Sequence, residues 1–206
     1  MDRHDRNADH TARRAQIADA LVRVAARDGL HAVSMRSVAA EAKVSLRLVQ
    51  YYFHTKTGLL IGALAHLEQQ SRQRWAERLR GLPDPPPPRA FVEAFVAEAL
   101  ATDDPSRAFH LVGTSYTMLA RTDPELAAPP FAAGIDHLEH QLADALTRAR
   151  DHGELAPGLD PRYEATRLVM MVNGLGTAVL AGHHEIDYAL TVLRDHLDRV
   201  FSTAGS

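Results

Sequence analysis

The chain has 206 residues, of which 46% are apolar and 24% charged, a composition typical of soluble globular proteins rather than disordered or fibrous ones. It contains no cysteine, which excludes disulfide frameworks, thiolate zinc sites, iron–sulfur clusters and a cysteine nucleophile. Residues 1–60 hold ten Lys and Arg against six Asp and Glu (net charge +4), whereas residues 61–206 hold thirteen against twenty (net charge −7). The basic N-terminal part therefore either binds a polyanion or is a solvated basic surface.

Apolar residues recur along the chain at spacings of three and four, and strand patterns are almost absent, which predicts an all-α fold of about nine helices. The first helix is expected from about Thr11 to Asp28 and ends at Gly29. Ser34 and Ser45 are the expected N-caps of a short second helix and of a third helix at Leu46–Phe53.

Thr55 is predicted to cap a fourth helix that runs toward Arg80 and stops at Gly81. The proline-rich segment that follows, residues 82–88, predicts a stiff connector, with a ligand for proline-binding modules as the alternative. Later helices are expected to start at the three Asp-Pro pairs, because each combines a capping carboxylate with a ring suited to the first helical turn. These pairs are Asp104-Pro105, Asp123-Pro124 and Asp160-Pro161.

Apolar stripes predict three helices in the C-terminal part. One of them stops at Gly153, the next runs from Pro161 to about Ala181, and the last ends near Phe201. The longest apolar stretch, residues 169–182, is interrupted by Asn173 and is shorter than the roughly 20 residues that span a bilayer. The N-terminus lacks the apolar core of a signal peptide, so we expect a soluble cytoplasmic protein with no membrane partner.

The segment from Arg36 to Lys56 carries the main functional signal. Its two short helices form either an ordinary helical hairpin or a helix-turn-helix that presents its second helix to the major groove of DNA. At about 100° per residue, Val49 and Phe53 of the second helix share one side. The opposite side carries Leu46, Arg47, Gln50 and Tyr51.

This second side carries groups that can recognise bases. Arg47 can bind a guanine edge through two hydrogen bonds, and Gln50 can bind adenine in the same way. Leu46 or Tyr51 can contact a thymine methyl. A second set of polar side chains suits phosphate contacts, and it comprises Ser45, Tyr52 and Lys56.

Residues 13–67 resemble the DNA-binding domain of the TetR family of bacterial transcriptional regulators. The resemblance lies in RRAQIADALVRVAARDGL, SMRSVAAEAKVS, LRLVQYYF and HTKTGLLIGAL. It implies that the run of Ser45, Tyr52, Phe53 and Lys56 is a family signature, and that Arg36 is a further DNA contact. Arg47 and Gln50 stand where glycine and tyrosine are frequent in the family, so the resemblance does not transfer an operator sequence.

The resemblance also implies a domain organisation and a function. Residues 1–12 would be a flexible arm, residues 13–60 the helix-turn-helix DNA-binding domain with three helices, and residues 61–206 a helical ligand-binding and dimerisation domain. The implied function is that of a homodimeric repressor. It would bind a pseudo-palindromic operator in double-stranded DNA and leave it when a small-molecule effector binds.

Aromatic and thioether side chains in the C-terminal part can form an interior that encloses an apolar ligand, although ordinary core is the simpler interpretation for most of them. These candidates are Phe91, Phe95, Phe109, Tyr116, Met118, Met170 and Met171. The expected polar contacts are His110, Asn173 and His137.

Gly174 and Gly176 each cost about 1 kcal/mol of helix stability relative to alanine, so close approach of a partner helix is one reason for glycine there. Packing within the chain is the alternative. The predicted dimer interface therefore contains both glycines and a set of apolar neighbours. The neighbours are Leu138, Leu142, Leu168, Val172, Leu175 and Val179.

Parts of the sequence are also compatible with two other classes of protein. A metal-responsive regulator would use histidine pairs together with nearby carboxylates. These residues are His137, His140, His183, His184, Asp136, Glu139 and Asp187. A helical enzyme or interaction module is disfavoured because the sequence has no G-x-S-x-G, phosphate-binding glycine loop or H-E-x-x-H motif. We predict no catalytic residue, cofactor or resident metal.

Overall fold

The computed structural model describes residues 3–100, 102–121 and 130–201, with side chains described at residues 9–100, 102–104, 106–121 and 134–201. In these ranges the chain forms nine α-helices and one short 3-10 helix, Leu30–Ala32, which confirms the all-α prediction. The α-helices are α1 Arg3–Asp28, α2 Met35–Glu41, α3 Leu46–Phe53, α4 Lys56–Leu79, α5 Pro88–Ala99, α6 Asp104–Ala120, α7 Pro130–Asp151, α8 Pro161–Leu180 and α9 Ile186–Val200. No helix within the described ranges is both long and apolar enough to span a membrane.

The chain divides into two units, each with its own core. The first comprises Met1–Gln70 and Leu111–Ala128, and the second comprises Ser71–His110 and Pro129–Ser206. This division falls within α4 and α6. The first half of α4 belongs to the first unit, and its side chains Leu59, Leu64 and Leu67 are buried.

Local capping signals determine where the N-terminal helices begin. Ser34 and Ser37 form a reciprocal capping box at α2, with Ser34 Oγ accepting from Ser37 N at 3.0 Å. Ser45 Oγ accepts from Leu48 N at the start of α3, whose predicted bounds are confirmed. Helix α1, in contrast, begins at Arg3 rather than near Thr11, so the segment predicted as an arm is helical from Arg3 onward.

The Asp-Pro signals gave different outcomes. Asp160 caps α8 as predicted, since its Oδ1 accepts from Arg162 N at 2.8 Å. At α6 the capping carboxylate is Asp103 and not Asp104, because Asp103 and Ser106 exchange hydrogen bonds between side chain and backbone. The predicted start at Asp123-Pro124 lies outside the described residues.

Helices α5, α7, α8 and α9 enclose the core of the second unit. The stripes predicted on α7 and α9 supply much of it, and the partly buried Trp75 and Phe91 pack against it. Its fully buried large side chains include Leu100, Leu142, Leu146, Leu168 and Leu193. Residues 82–87 form a largely exposed, non-helical connection between α4 and α5.

Candidate functional site

Helices α2 and α3 form a helix-turn-helix within the first unit. The turn between them passes through Lys43, whose φ of 55° lies in the left-handed region. Gln16 of α1 donates a side-chain hydrogen bond to the carbonyl of Ala42 at 3.0 Å, which attaches the turn to α1. This arrangement fixes the orientation of α3 relative to the rest of the unit.

Helix α3 has a buried face and an exposed face, as its sequence predicts. Val49 and Phe53 are buried in the first unit, which confirms the assignment of Phe53 to the core. Leu46 and Tyr52 are half-buried. The exposed side chains at and around this helix are Arg36, Ser45, Arg47, Gln50, Tyr51 and Lys56. Seven of the eight predicted DNA contacts thus lie on or directly beside α3, and Arg36 lies in the first turn of α2.

Basic residues of the helix-turn-helix and of α1 differ in their ion pairing. Within the described residues, Arg36, Arg47 and Lys56 take part in no ion pair. On the other side, Arg23 and Arg27 of α1 both pair with Glu41, at 2.8 Å and 3.0 Å. Hydrogen bonds from these two arginines lower the pKa of Glu41, which keeps its neutralising charge. The exposed side of the helix-turn-helix therefore carries positive charge that no described carboxylate neutralises.

The predicted ligand-binding residues differ in their burial and in the unit to which they belong. Phe95, His110 and Tyr116 are buried, and Phe91, Phe109 and Met171 are half-buried. Tyr116 and Met118 belong to the first unit, whereas the others belong to the second. Met118, Met170 and Asn173 are exposed in the single chain because their helices turn these positions away from the core.

An aromatic cluster in the second unit includes a residue that sequence reasoning missed. Trp75 of α4 packs against Phe91 and Phe95 of α5, with ring centroids 4.8 Å and 6.1 Å apart. Beside it, the buried carboxylate of Glu98 lies 2.7 Å from Arg74 Nη2. The sequence did hold one signal, because Trp75 is the single tryptophan of the chain.

His110 is the buried polar candidate of α6. Its Nε2 lies 3.1 Å from the hydroxyl of Thr177 on α8, and its ring packs against Gly176. Burial lowers the pKa of His110 and so favours the neutral imidazole. This histidine thus links α6 to α8 inside the second unit.

The residues predicted for the dimer interface differ in their exposure within the single chain. Leu142, Leu168, Val172 and Gly176 are buried in it. Leu138, Leu175 and Val179 are partly buried against the same core. Gly174 is open, with no described atom within 4 Å of the position that a Cβ would occupy. Helix α8 is apolar on two sides, and periodicity does not tell which side faces the core.

The exposed side of α8 carries large apolar groups that the sequence reasoning left out of the interface. Tyr163 is 74% exposed and Met170 is 54% exposed. Together with Gly174 and Thr177, they lie on one face of the helix, which we call the α8 outer face. The spacing of seven between Tyr163, Met170 and Thr177 was a signal for this face.

The histidine pairs proposed for metal binding are exposed: His137 and His140 on α7, and His183 and His184 after α8. Across the described ranges, no three His, Asp or Glu side chains come together in a way that could hold a metal ion. The arrangement therefore lends no support to a metal-responsive regulator.

Comparison with known families gives matches in both parts of the chain. The model for bacterial regulatory proteins of the tetR family matches residues 17–63, which contain the helix-turn-helix. The model for the C-terminal domain of BetI-type transcriptional repressors matches residues 88–202, more than half of the chain.

Individual relatives agree with these matches. The chain is 28% identical to the transcriptional regulator PksA of Bacillus subtilis over 93% of this chain and 87% of that protein. It is 26% identical to the regulator BetI of Paraburkholderia phytofirmans, over 93% and 94% of the two chains. A transcriptional regulator from Saccharomonospora viridis, solved in complex with choline, has the same fold, with a TM-score of 0.81 and 23% identity over 91% of this chain and 96% of that one.

Proposed function

Since the chain belongs to the TetR family of bacterial transcriptional regulators and carries a BetI-type repressor C-terminal domain, we propose that it acts as a homodimer that a small molecule releases from its operator. One observation carries this proposal. Helix α3 exposes Arg47 and Gln50, and the charges of Arg36 and Lys56 beside it have no partner among the described residues. The exposed side of the helix-turn-helix is therefore equipped for both base and phosphate contacts.

The proposed roles follow from side-chain chemistry. Arg47 and Gln50 read base edges through paired hydrogen bonds, and Leu46 and Tyr51 contact methyl groups or sugars. Phosphate contacts fix the register without reading sequence. We assign these contacts to Arg36, Ser45, Tyr52 and Lys56. Two copies of α3, one from each protomer, would read a two-fold symmetric site in successive major grooves.

We assign dimerisation to the α8 outer face. Tyr163 and Met170 are large apolar side chains exposed on one helix, and such a patch usually marks an interaction site. In a two-fold dimer the same patch pairs with itself, so Gly174 would allow the backbones of two α8 helices to approach closely. This placement replaces the buried residues predicted from sequence.

For the effector we propose the second unit as the binding region and an apolar or amphipathic molecule as its class. The support is the aromatic cluster of Trp75, Phe91 and Phe95, together with the buried His110. The choline-bound structure is less than 25% identical to this chain, so it supports the fold and does not identify the effector. The effector would act by favouring a conformation in which the two α3 helices no longer fit one operator.

The DNA-binding part of this proposal is tested by selecting duplexes from fragments of the source genome with the purified protein. We expect a small set of fragments sharing a two-fold symmetric sequence, and Arg47→Ala should lose this enrichment. Enrichment of no fragment above random DNA would contradict the operator, and the alternative of a helical interaction module would then gain support.

The effector part is tested on the same fragments. Because Trp75 is the single tryptophan, its fluorescence reports directly on the aromatic cluster. A panel of apolar and amphipathic compounds should contain molecules that change this fluorescence and also lower operator affinity. Phe95→Ala should weaken both responses and leave operator affinity without effector nearly unchanged. Effectors that release Phe95→Ala as well as wild type would place the binding region elsewhere.

A further inference from the structure

The N-terminal part of α1 reaches the end of helix α3. The imidazole of His10 packs against the ring of Tyr52, with centroids 4.7 Å apart and planes tilted by 56°. Tyr52 in turn contacts Tyr51 edge to face, with centroids 5.2 Å apart. A continuous row of three rings therefore leads from α1 to the exposed end of α3.

A second contact lies one turn further along α1. The guanidinium of Arg14 is 5.0 Å from the centroid of the Phe53 ring. Residues 10 and 14 are four apart, so they lie on the same face of α1. Successive turns of α1 thus contact the last two residues of α3. Phe53 is buried, but Tyr52 is only half-buried, so packing by α3 itself leaves the phenol partly free.

We propose that His10 is a positioning residue for DNA binding, which it serves by packing against Tyr52 and holding the phenol hydroxyl where it meets a DNA phosphate. This inference rests on the proposed function, in which Tyr52 is a phosphate contact. A side chain that is ordered before binding loses less conformational entropy when the complex forms. Preorganisation of one such side chain is worth about a two- to tenfold difference in affinity for each half-site.

His10 lies in the part of α1 that the sequence predicted to be a flexible arm, so this part would have a role in DNA binding. The contribution is local, because His10 and Tyr52 both belong to the first unit. It is also independent of base sequence, since phosphate contacts carry no sequence information. His10 should therefore affect specific and non-specific duplexes alike.

The test is a double-mutant cycle between His10 and Tyr52, measured as affinity for two probes. The probes are a duplex enriched by the wild-type protein and a random-sequence duplex long enough for two half-sites. His10→Ala removes the ring contact, and Tyr52→Phe keeps the ring but removes the hydroxyl. We expect either change alone to weaken both probes about two- to tenfold per half-site. In the Tyr52→Phe background, His10→Ala should have almost no further effect.

Control variants separate positioning from folding. His10→Phe keeps an aromatic ring on Tyr52 and should retain wild-type affinity, whereas His31→Ala removes an exposed histidine of the same unit and should change nothing. The free energy of unfolding of each variant shows whether a loss of affinity reflects a loss of fold. Equal weakening by His10→Ala with and without the Tyr52 hydroxyl would overturn the inference, as would unchanged affinity in His10→Ala. If the wild-type protein enriches no duplex, so that the first probe cannot be made, the proposed function fails and this inference fails with it.

Discussion

The imidazole of His110 on α6 packs against the backbone of Gly176 on α8. A Cβ at residue 176 would lie 2.6 Å from His110 Cε1 and 2.9 Å from its Nδ1, closer than a carbon atom can approach. Glycine therefore occupies this helical position, at a cost of about 1 kcal/mol relative to alanine, because of a contact within the chain. The neighbouring hydroxyl of Thr177 lies 3.1 Å from His110 Nε2 and holds the ring in this place.

The two glycines of α8 should respond differently to the same substitution. Gly176→Ala would push the new methyl group into His110, and such overpacking typically costs 1 to 3 kcal/mol, more than the gain of about 1 kcal/mol in helix propensity. Gly174→Ala meets no described atom of its own chain within 4 Å, so in the monomer it should stabilise the fold by up to about 1 kcal/mol. Chemical denaturation of both variants in a monomeric Met170→Glu background measures these effects apart from dimerisation. Equal stabilisation by the two variants would contradict the packing of His110 on Gly176.

The second unit should lose stability in mild acid because of His110. Burial lowers the pKa of this histidine in the folded state, so the unfolded chain binds the proton more readily. Its contribution to stability is present above the ordinary histidine pKa of about 6.5 and is lost as the pH falls below that value. His110→Gln removes the titrating group, so the free energy of unfolding of this variant should fall less between pH 7.5 and 5.5. Parallel pH curves for the two proteins would show that His110 does not contribute.

The sequence predicted most of the DNA-binding half because its signals are local. Ser34 and Ser45 mark helix starts by their own hydrogen bonds, and the two faces of α3 follow from the positions of Val49 and Phe53. The contact of His10 with Tyr52 joins residues far apart in the chain, so no local pattern reveals it. The buried side of α8 could not be chosen either, since the helix carries apolar residues on both sides and only the packing of other helices decides between them.

The proposal that the α8 outer face forms the dimer interface can be tested by substituting glutamate for each of two exposed methionines. Met170 on that face and Met118 on α6 are 54% and 62% exposed, so each can be changed to glutamate without burying a charge in the single chain. Met170→Glu would place like charges opposite each other in a two-fold interface, and it should yield folded monomers with weak operator binding. Met118→Glu should remain dimeric. Analytical sedimentation and circular dichroism give the readout, and a fully dimeric Met170→Glu protein would move the interface to another surface.

The turn of the helix-turn-helix contains an unfavourable backbone conformation. Lys43 adopts φ 55°, a left-handed value that costs a residue with a Cβ about 1 to 2 kcal/mol. Lys43→Gly removes this cost. It also raises the conformational entropy of the unfolded chain, which lowers the free energy of unfolding by about 0.4 to 1 kcal/mol. The net expectation is stabilisation of about 1 kcal/mol, read from thermal or chemical unfolding. Lys43→Ala is the matched control, because it removes the same charge while keeping the Cβ, and it should not stabilise. A Lys43→Gly protein no more stable than Lys43→Ala would argue against a strained turn.

Alanine substitutions at three basic residues should distinguish a base contact, a phosphate contact and a mere loss of charge. The residues are Arg47, Lys56 and Arg23. Arg47→Ala is expected to cost about 1 to 3 kcal/mol at the preferred operator and to relax the choice of one base pair, because a paired hydrogen bond to a base edge is lost. Lys56→Ala should weaken binding to all duplexes alike and make the dependence of log affinity on log salt shallower by about one for each protomer that loses the contact. Arg23→Ala removes the same charge from a residue that already pairs with Glu41 at 2.8 Å, so it should have little effect on either measure. Titrations of operator and random-sequence DNA at several salt concentrations distinguish the three outcomes. If Arg47→Ala weakens operator and random DNA equally, Arg47 contacts phosphate and does not read a base.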